Sequence, residues 1–186
     1  MTIHKTPAEL LADLGNVSNE FISLLENFSD GTFNTVAGDN DVPANEDKNW
    51  TPAQVGRHIE KSITGFTGML ENDTVATDRD PSEKLEIIAR DFLNFDTKMS
   101  SPAFLVPENK VFDQERLTMN LHQLFDDIMA AGARLDLTQV CRTFELPGYG
   151  PMTRLEWIFF VYCHTSRHTY QLKGMRAYFN ERIESN

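Results

Sequence analysis

Trp157-Ile158-Phe159-Phe160-Val161-Tyr162-Cys163-His164-Thr165-Ser166-Arg167-His168-Thr169-Tyr170-Gln171 passes from apolar to polar without losing its register. Trp157, Val161, His164, His168, Gln171, Met175 and Tyr178 follow one another by steps of three and four. They therefore share one face of a helix predicted over about 154–183. Two imidazoles stand on that face where its pattern asks for large apolar side chains. A buried neutral imidazole needs partners on both nitrogens, and leaving one unmet costs about 1–3 kcal/mol. A divalent metal supplies both, taking a lone pair from each ring and leaving each N–H for an outer acceptor. The competing reading is a pair of core histidines satisfied by the protein itself. By itself the pair is half a site.

Outward from this helix the chain repeats one grammar, a capping residue followed three positions later by Glu or Gln. It occurs at Thr6-Pro7-Ala8-Glu9, Thr51-Pro52-Ala53-Gln54, Asp80-Pro81-Ser82-Glu83 and Thr153-Arg154-Leu155-Glu156. Three of the four carry Pro at the first helical position, where its missing N–H costs nothing. Apolar seams at helical period then predict helices over about 7–28 (Leu10, Leu14, Val17, Phe21), 52–71 (Val55, Ile59, Ile63, Phe66) and 82–99 (Leu85, Ile88, Phe92, Phe95). Another begins near Asp113, with Leu117, Leu121, Leu124 and Ile128. The one strand-like piece, 140–146, looks short and isolated. Residues 29–50 and 100–112 read as connections, and Pro147-Gly148-Tyr149-Gly150-Pro151 as a rigid turn.

Amphipathic helices without a sheet to pack on predict an all-α fold. The expected form is a four-helix bundle with an additional short helix in the long connections. A chain of 186 residues, 40% hydrophobic and 24% charged, fits a single domain over 1–186. A net charge of −11 argues against nucleic acid and against membrane surfaces. The longest apolar run, 157–163, is far below the roughly 20 residues needed to span a bilayer. No signal-peptide pattern opens the chain, and two cysteines make no disulfide framework. These features predict a cytoplasmic protein with reduced thiols.

A third histidine changes the reading of the pair. His58 lies in the predicted second helix, one residue off the Ile59 stripe. Its own row continues through Ser62, Gly65 and Met69, whose small members leave space beside the ring for a pocket or a close helix approach. A solvated flank position is the alternative for His58 alone. His4 reads as solvated and His122 as a boundary residue. Cys163 points about 100° away from His164 around the helix and reads as core. Arg57 and Arg167 flank the histidines and are candidates for receiving an anionic cofactor, or else solvated surface residues. Gln171 either orients a ligand or closes an interhelical contact.

Two motifs carry a resemblance. Trp50-Thr51-Pro52-Ala53-Gln54-Val55-Gly56-Arg57-His58 is similar to a Trp-Ser/Thr-Pro helix opening followed by histidine. His164-x3-His168-x2-Gln171 is similar to a last-helix signature. In this order they resemble the DinB/YfiT-like superfamily of metal-binding four-helix bundles, over nearly the whole chain. The resemblance implies a divalent metal, commonly nickel or zinc, on His58, His164 and His168, with positions open to water or substrate. Some relatives in that superfamily are thiol-dependent enzymes: bacillithiol S-transferases, mycothiol-dependent isomerases and domains of ergothioneine-forming enzymes.

An open three-histidine site on a divalent ion lowers the pKa of a bound water or thiol. Two expectations follow. One is a metal-dependent transferase joining a low-molecular-weight thiol to a small electrophile, its partners being that thiol and a small-molecule substrate. The other is a non-enzymatic metal- or ligand-binding bundle serving sensing, storage or homodimer assembly. No motif fixes the thiol or the electrophile.

Overall fold

The computed structural model describes residues 6–38, 50–97 and 99–184. Its elements run α1 (Pro7–Glu26), α2 (Asp30–Phe33), α3 (Pro52–Ile63), α4 (Phe66–Glu71), β1 (Thr74–Val75), α5 (Leu85–Phe92), a 3-10 turn (Ala103–Leu105), α6 (Gln114–Arg134), β2 (Val140–Cys141) and α7 (Arg154–Glu184). The chain is all-α apart from one two-stranded ribbon. α1 packs on α6 and α7, and α3 packs on the same two helices from the other side. That closes a four-helix bundle in which α1 and α3 lie on one diagonal and α6 and α7 on the other. α5 rests on the outside of α7. Among the described residues no helix is long and apolar enough to cross a membrane.

The caps fix where the bundle helices begin. Thr6 and Thr51 each form a reciprocal box, with Glu9 and Gln54 respectively. Asp113 accepts from the Arg116 N–H at 2.7 Å. Thr153 and Glu156 do the same for α7: the Thr153 N–H donates to Glu156 Oε2 at 2.9 Å and the Glu156 N–H to Thr153 Oγ1 at 3.2 Å. Each box satisfies N–H groups that the first helical turn otherwise leaves open. The seams then bury as their period predicts. Leu10, Leu14, Phe21, Val55, Ile59, Leu121, Ile128 and Ile158 are all essentially inaccessible.

Three expectations are corrected. The single helix over 52–71 is two, α3 and α4. Ser62 Oγ and Thr64 Oγ1 donate back to the carbonyls of His58 and Glu60. Gly65 then takes φ 77°, a left-handed turn that costs glycine little and other residues more. The helix over 82–99 shrinks to α5, Leu85–Phe92. Asp80 closes a local turn on Ser82 instead of capping a helix, and Arg167 takes the carbonyls of Asn94 and Thr97 where the next turn would have run. Phe95, placed on the seam, is 41% exposed and stacks on Tyr170 at 4.4 Å. The strand over 140–146 is two residues long and not isolated. Val140 and Cys141 pair antiparallel with Val75 and Thr74.

The loop over 29–50 contains α2, which buries Phe33. Its remaining residues from 39 to 49 lie outside the described residues.

Candidate metal centre

α3 and α7 bring three imidazoles to one point. His58 sits in the second turn of α3, and His164 and His168 stack one turn apart on α7. Close approach at α3 is possible because Gly56 has no side chain. A Cβ there would stand 3.0 Å from both Leu25 and Leu117. His58 Nε2 lies 3.1 Å from His164 Nε2, and His168 Nε2 lies 3.1 Å from the same atom. All three residues are buried, at 4%, 7% and 8% exposure. His58, His164 and His168 are the only such cluster of potential metal ligands among the described residues.

The outer nitrogens fix the proton positions. His58 Nδ1 is 3.1 Å from the Leu105 carbonyl, which can only accept, so Nδ1 carries the proton and Nε2 a bare lone pair. His168 Nδ1 faces Gln171 Oε1 at 2.8 Å, which gives the same tautomer. His164 Nε2 can then donate to one neighbour at most. At least one pair of lone pairs is left facing each other in a buried space.

Protonating a ring does not relieve this, because burial holds all three rings neutral. Burial, followed by a smaller effect of Lys61, lowers the His58 pKa to about 4 even though the Leu105 carbonyl opposes it. Burial and the neighbouring His58 lower His168 to about 3. Burial, then His168 and His58, pushes His164 well below 6.5.

The geometry fits a divalent ion. With metal–nitrogen bonds of about 2.0–2.1 Å, a 3.1 Å nitrogen separation corresponds to a ligand angle of about 95–102°. That lies between octahedral and tetrahedral values. The surroundings are aromatic. Trp50 stands 4.9 Å from the His58 ring, and Phe160 stacks on His164 at 5.4 Å with Phe92 beside it.

The same groups set a pH dependence for the metal-free protein. The folded-state pKa values of His58 and His168 lie below the 6.5 of an unperturbed imidazole, so the unfolded chain binds more protons once pH falls below about 6.5. Stability is therefore full above that value and declines toward pH 4, by up to about 1.4 kcal/mol per pH unit for each histidine. Urea unfolding of metal-free protein at pH 7.5, 6 and 5 measures it. A flat profile would contradict buried neutral imidazoles.

The other sequence candidates fall elsewhere. His122 is half exposed, 3.8 Å from Glu26, and His4 lies outside the described residues. Cys163 and Cys141 are buried in the core and form no disulfide. Arg57 is held by Glu108 on two nitrogens and by Glu60 on a third bond, and Arg167 caps the end of α5. The Arg167 charge is close enough to contribute to lowering both His164 and His168. Gln171 accepts from His168 Nδ1 within α7. Ser62, Gly65 and Met69, the row that continues from His58, line a cavity, as their size suggested.

The Leu105 carbonyl was missed. A backbone acceptor delivered by a connection has no sequence signal of its own. A hint lay in α3, where Gln54, Arg57 and Lys61 carry the polar groups that fasten residues 106–108 to the helix.

Comparison with protein-family models, curated proteins and solved structures finds no match for this chain.

Proposed function

We propose that the chain is a divalent-metal-binding, DinB-like helical bundle whose centre serves a metal-dependent thiol transferase acting on small electrophiles. The observation that carries the reading is the convergence of three Nε2 atoms, two of them stripped of protons by the carbonyl oxygens of Leu105 and Gln171. Nickel or zinc suits three imidazoles. The ion, when bound, supplies Lewis acidity that makes a thiol or water reactive near neutral pH. His58, His164 and His168 hold it, Leu105 and Gln171 fix the ring orientations, and Trp50, Phe92 and Phe160 limit water. A reducing, cytosolic setting agrees with two buried cysteines that form no disulfide.

The test loads the protein with nickel or zinc and offers it a panel of low-molecular-weight thiols with a model electrophile. Turnover above the His58→Ala variant is expected with at least one thiol. Equal rates with every thiol would sink the enzyme reading.

One observation favours a second reading, a non-enzymatic module for metal sensing, storage or homodimer assembly. Among the described residues no carboxylate joins the three histidines. Metal-induced stabilisation without turnover is the outcome that reading predicts.

A further inference from the structure

We propose that the cavity beside the histidines is a binding site for an uncharged aromatic molecule. It measures about 820 Å³ and lies between α3, α4, the turn at 102–105, the segment 143–147 and the first turns of α7. That volume suits a molecule of drug size. The cavity wall includes residues that touch His58 and His164. Leu105, whose carbonyl holds His58, lines it, as do Phe160, stacked on His164, and Ser62, bonded to the His58 carbonyl. Its service as the substrate chamber rests on the metal reading, whereas the binding of an aromatic guest does not.

The guest's chemistry follows from what the wall offers. Its polar side chains from α3 and α4 are turned to protein partners. Lys61 donates to the Val106 carbonyl, Ser62 to His58, Thr64 to Glu60 and Asn72 to Gly68, while Arg57 is clasped by Glu108 and Glu60. Glu145 adds a negative charge to the lining. Aromatic rings supply much of the remaining surface. Trp157 is boxed by Phe66, Phe144 and Phe160 at centroid distances of 5.9, 5.6 and 5.7 Å. Phe104 and Phe144, also in the lining, are 65% and 45% exposed, apolar surface that a guest would cover. The indole N–H of Trp157 is buried without an acceptor among the described residues. A charged thiol cofactor finds its natural donors on α3 and α4 already bonded. The cavity therefore fits the electrophile-bearing partner.

The test compares N-phenyl-1-naphthylamine with 1-anilinonaphthalene-8-sulfonate, which differ by one sulfonate, using the fluorescence of each probe on the full chain. The neutral probe is expected to saturate at one site. The sulfonate should bind at least about tenfold more weakly, because an unpaired charge would have to leave water. Gly68→Phe fills the cavity from α4, where a Cβ meets nothing nearer than Asn72 at 4.0 Å, and should weaken the neutral probe by a similar factor. Phe104→Ala, a surface change, should weaken it less, and circular dichroism checks that both variants fold. Equal affinity for the two probes, or no loss in Gly68→Phe, overturns the proposal. Nickel uptake is followed separately by calorimetry. If the neutral probe binds and nickel does not, the cavity assignment holds and the metal reading fails.

Discussion

His164→Ala is expected to abolish the stabilisation of the protein by zinc or nickel. His164 Nε2 is the shared vertex of the cluster, 3.1 Å from both partner nitrogens. Removing it leaves only two imidazoles, His58 and His168, with ring centroids 4.8 Å apart. At a free metal concentration one hundred times Kd, the wild type gains about 2.7 kcal/mol. For a chain of this size that corresponds to a rise in Tm of roughly 5–11 °C. Scanning calorimetry of metal-free protein with and without zinc should show that rise in the wild type and none in His164→Ala. His122→Ala, which removes a half-exposed histidine beside Glu26, should keep the full rise. An equal rise in His164→Ala would mean that the ion binds elsewhere.

Glu156→Ala should be the most destabilising single change outside the apolar core. Its carboxylate is fully buried and accepts two bonds from Arg79, at 2.7 and 2.6 Å, together with the backbone N–H groups of Lys84 and Thr153 at 2.9 Å each. One side chain thus ties the turn before α5 to the start of α7, the helix that carries two of the three histidines. Truncation strands the Arg79 guanidinium, itself only partly exposed, and leaves two backbone donors unmet. Breaking one side of a buried pair costs about 3–5 kcal/mol, against roughly 5–15 kcal/mol for the stability of a typical domain. The urea midpoint should fall by roughly 1.5–2.5 M. Arg79→Met combined with Glu156→Leu should recover much of the loss, since an apolar pair removes the stranded charge. A loss below about 1 kcal/mol in the single variant would show that water replaces these bonds.

Glu156 also illustrates what a sequence can carry. Its place in Thr153-x-x-Glu156 predicted a helix start, and the box forms, because capping is settled within four residues. Its grip on Arg79, 77 positions away, had no local signature. The same division runs through the fold. Bundle helices were legible because their seams repeat every three or four residues: α1 and α7 end within a few positions of expectation, and α6 starts beside Asp113 as expected. α5 ended early because Arg167, distant in sequence, takes the carbonyls past its end. At the histidines, the spacing of His164 and His168 gave half the cluster, and His58 stood out by its small neighbours Ser62 and Gly65. The Leu105 carbonyl that sets the His58 tautomer could come only from the folded chain.

The most direct measurement of the metal reading is elemental analysis of protein purified without an affinity tag, beside the His164→Ala variant prepared in the same way. A bound divalent ion at close to one per chain in the wild type, and almost none in the variant, is the predicted result. Equal metal content in the two proteins would contradict a centre built on His58, His164 and His168.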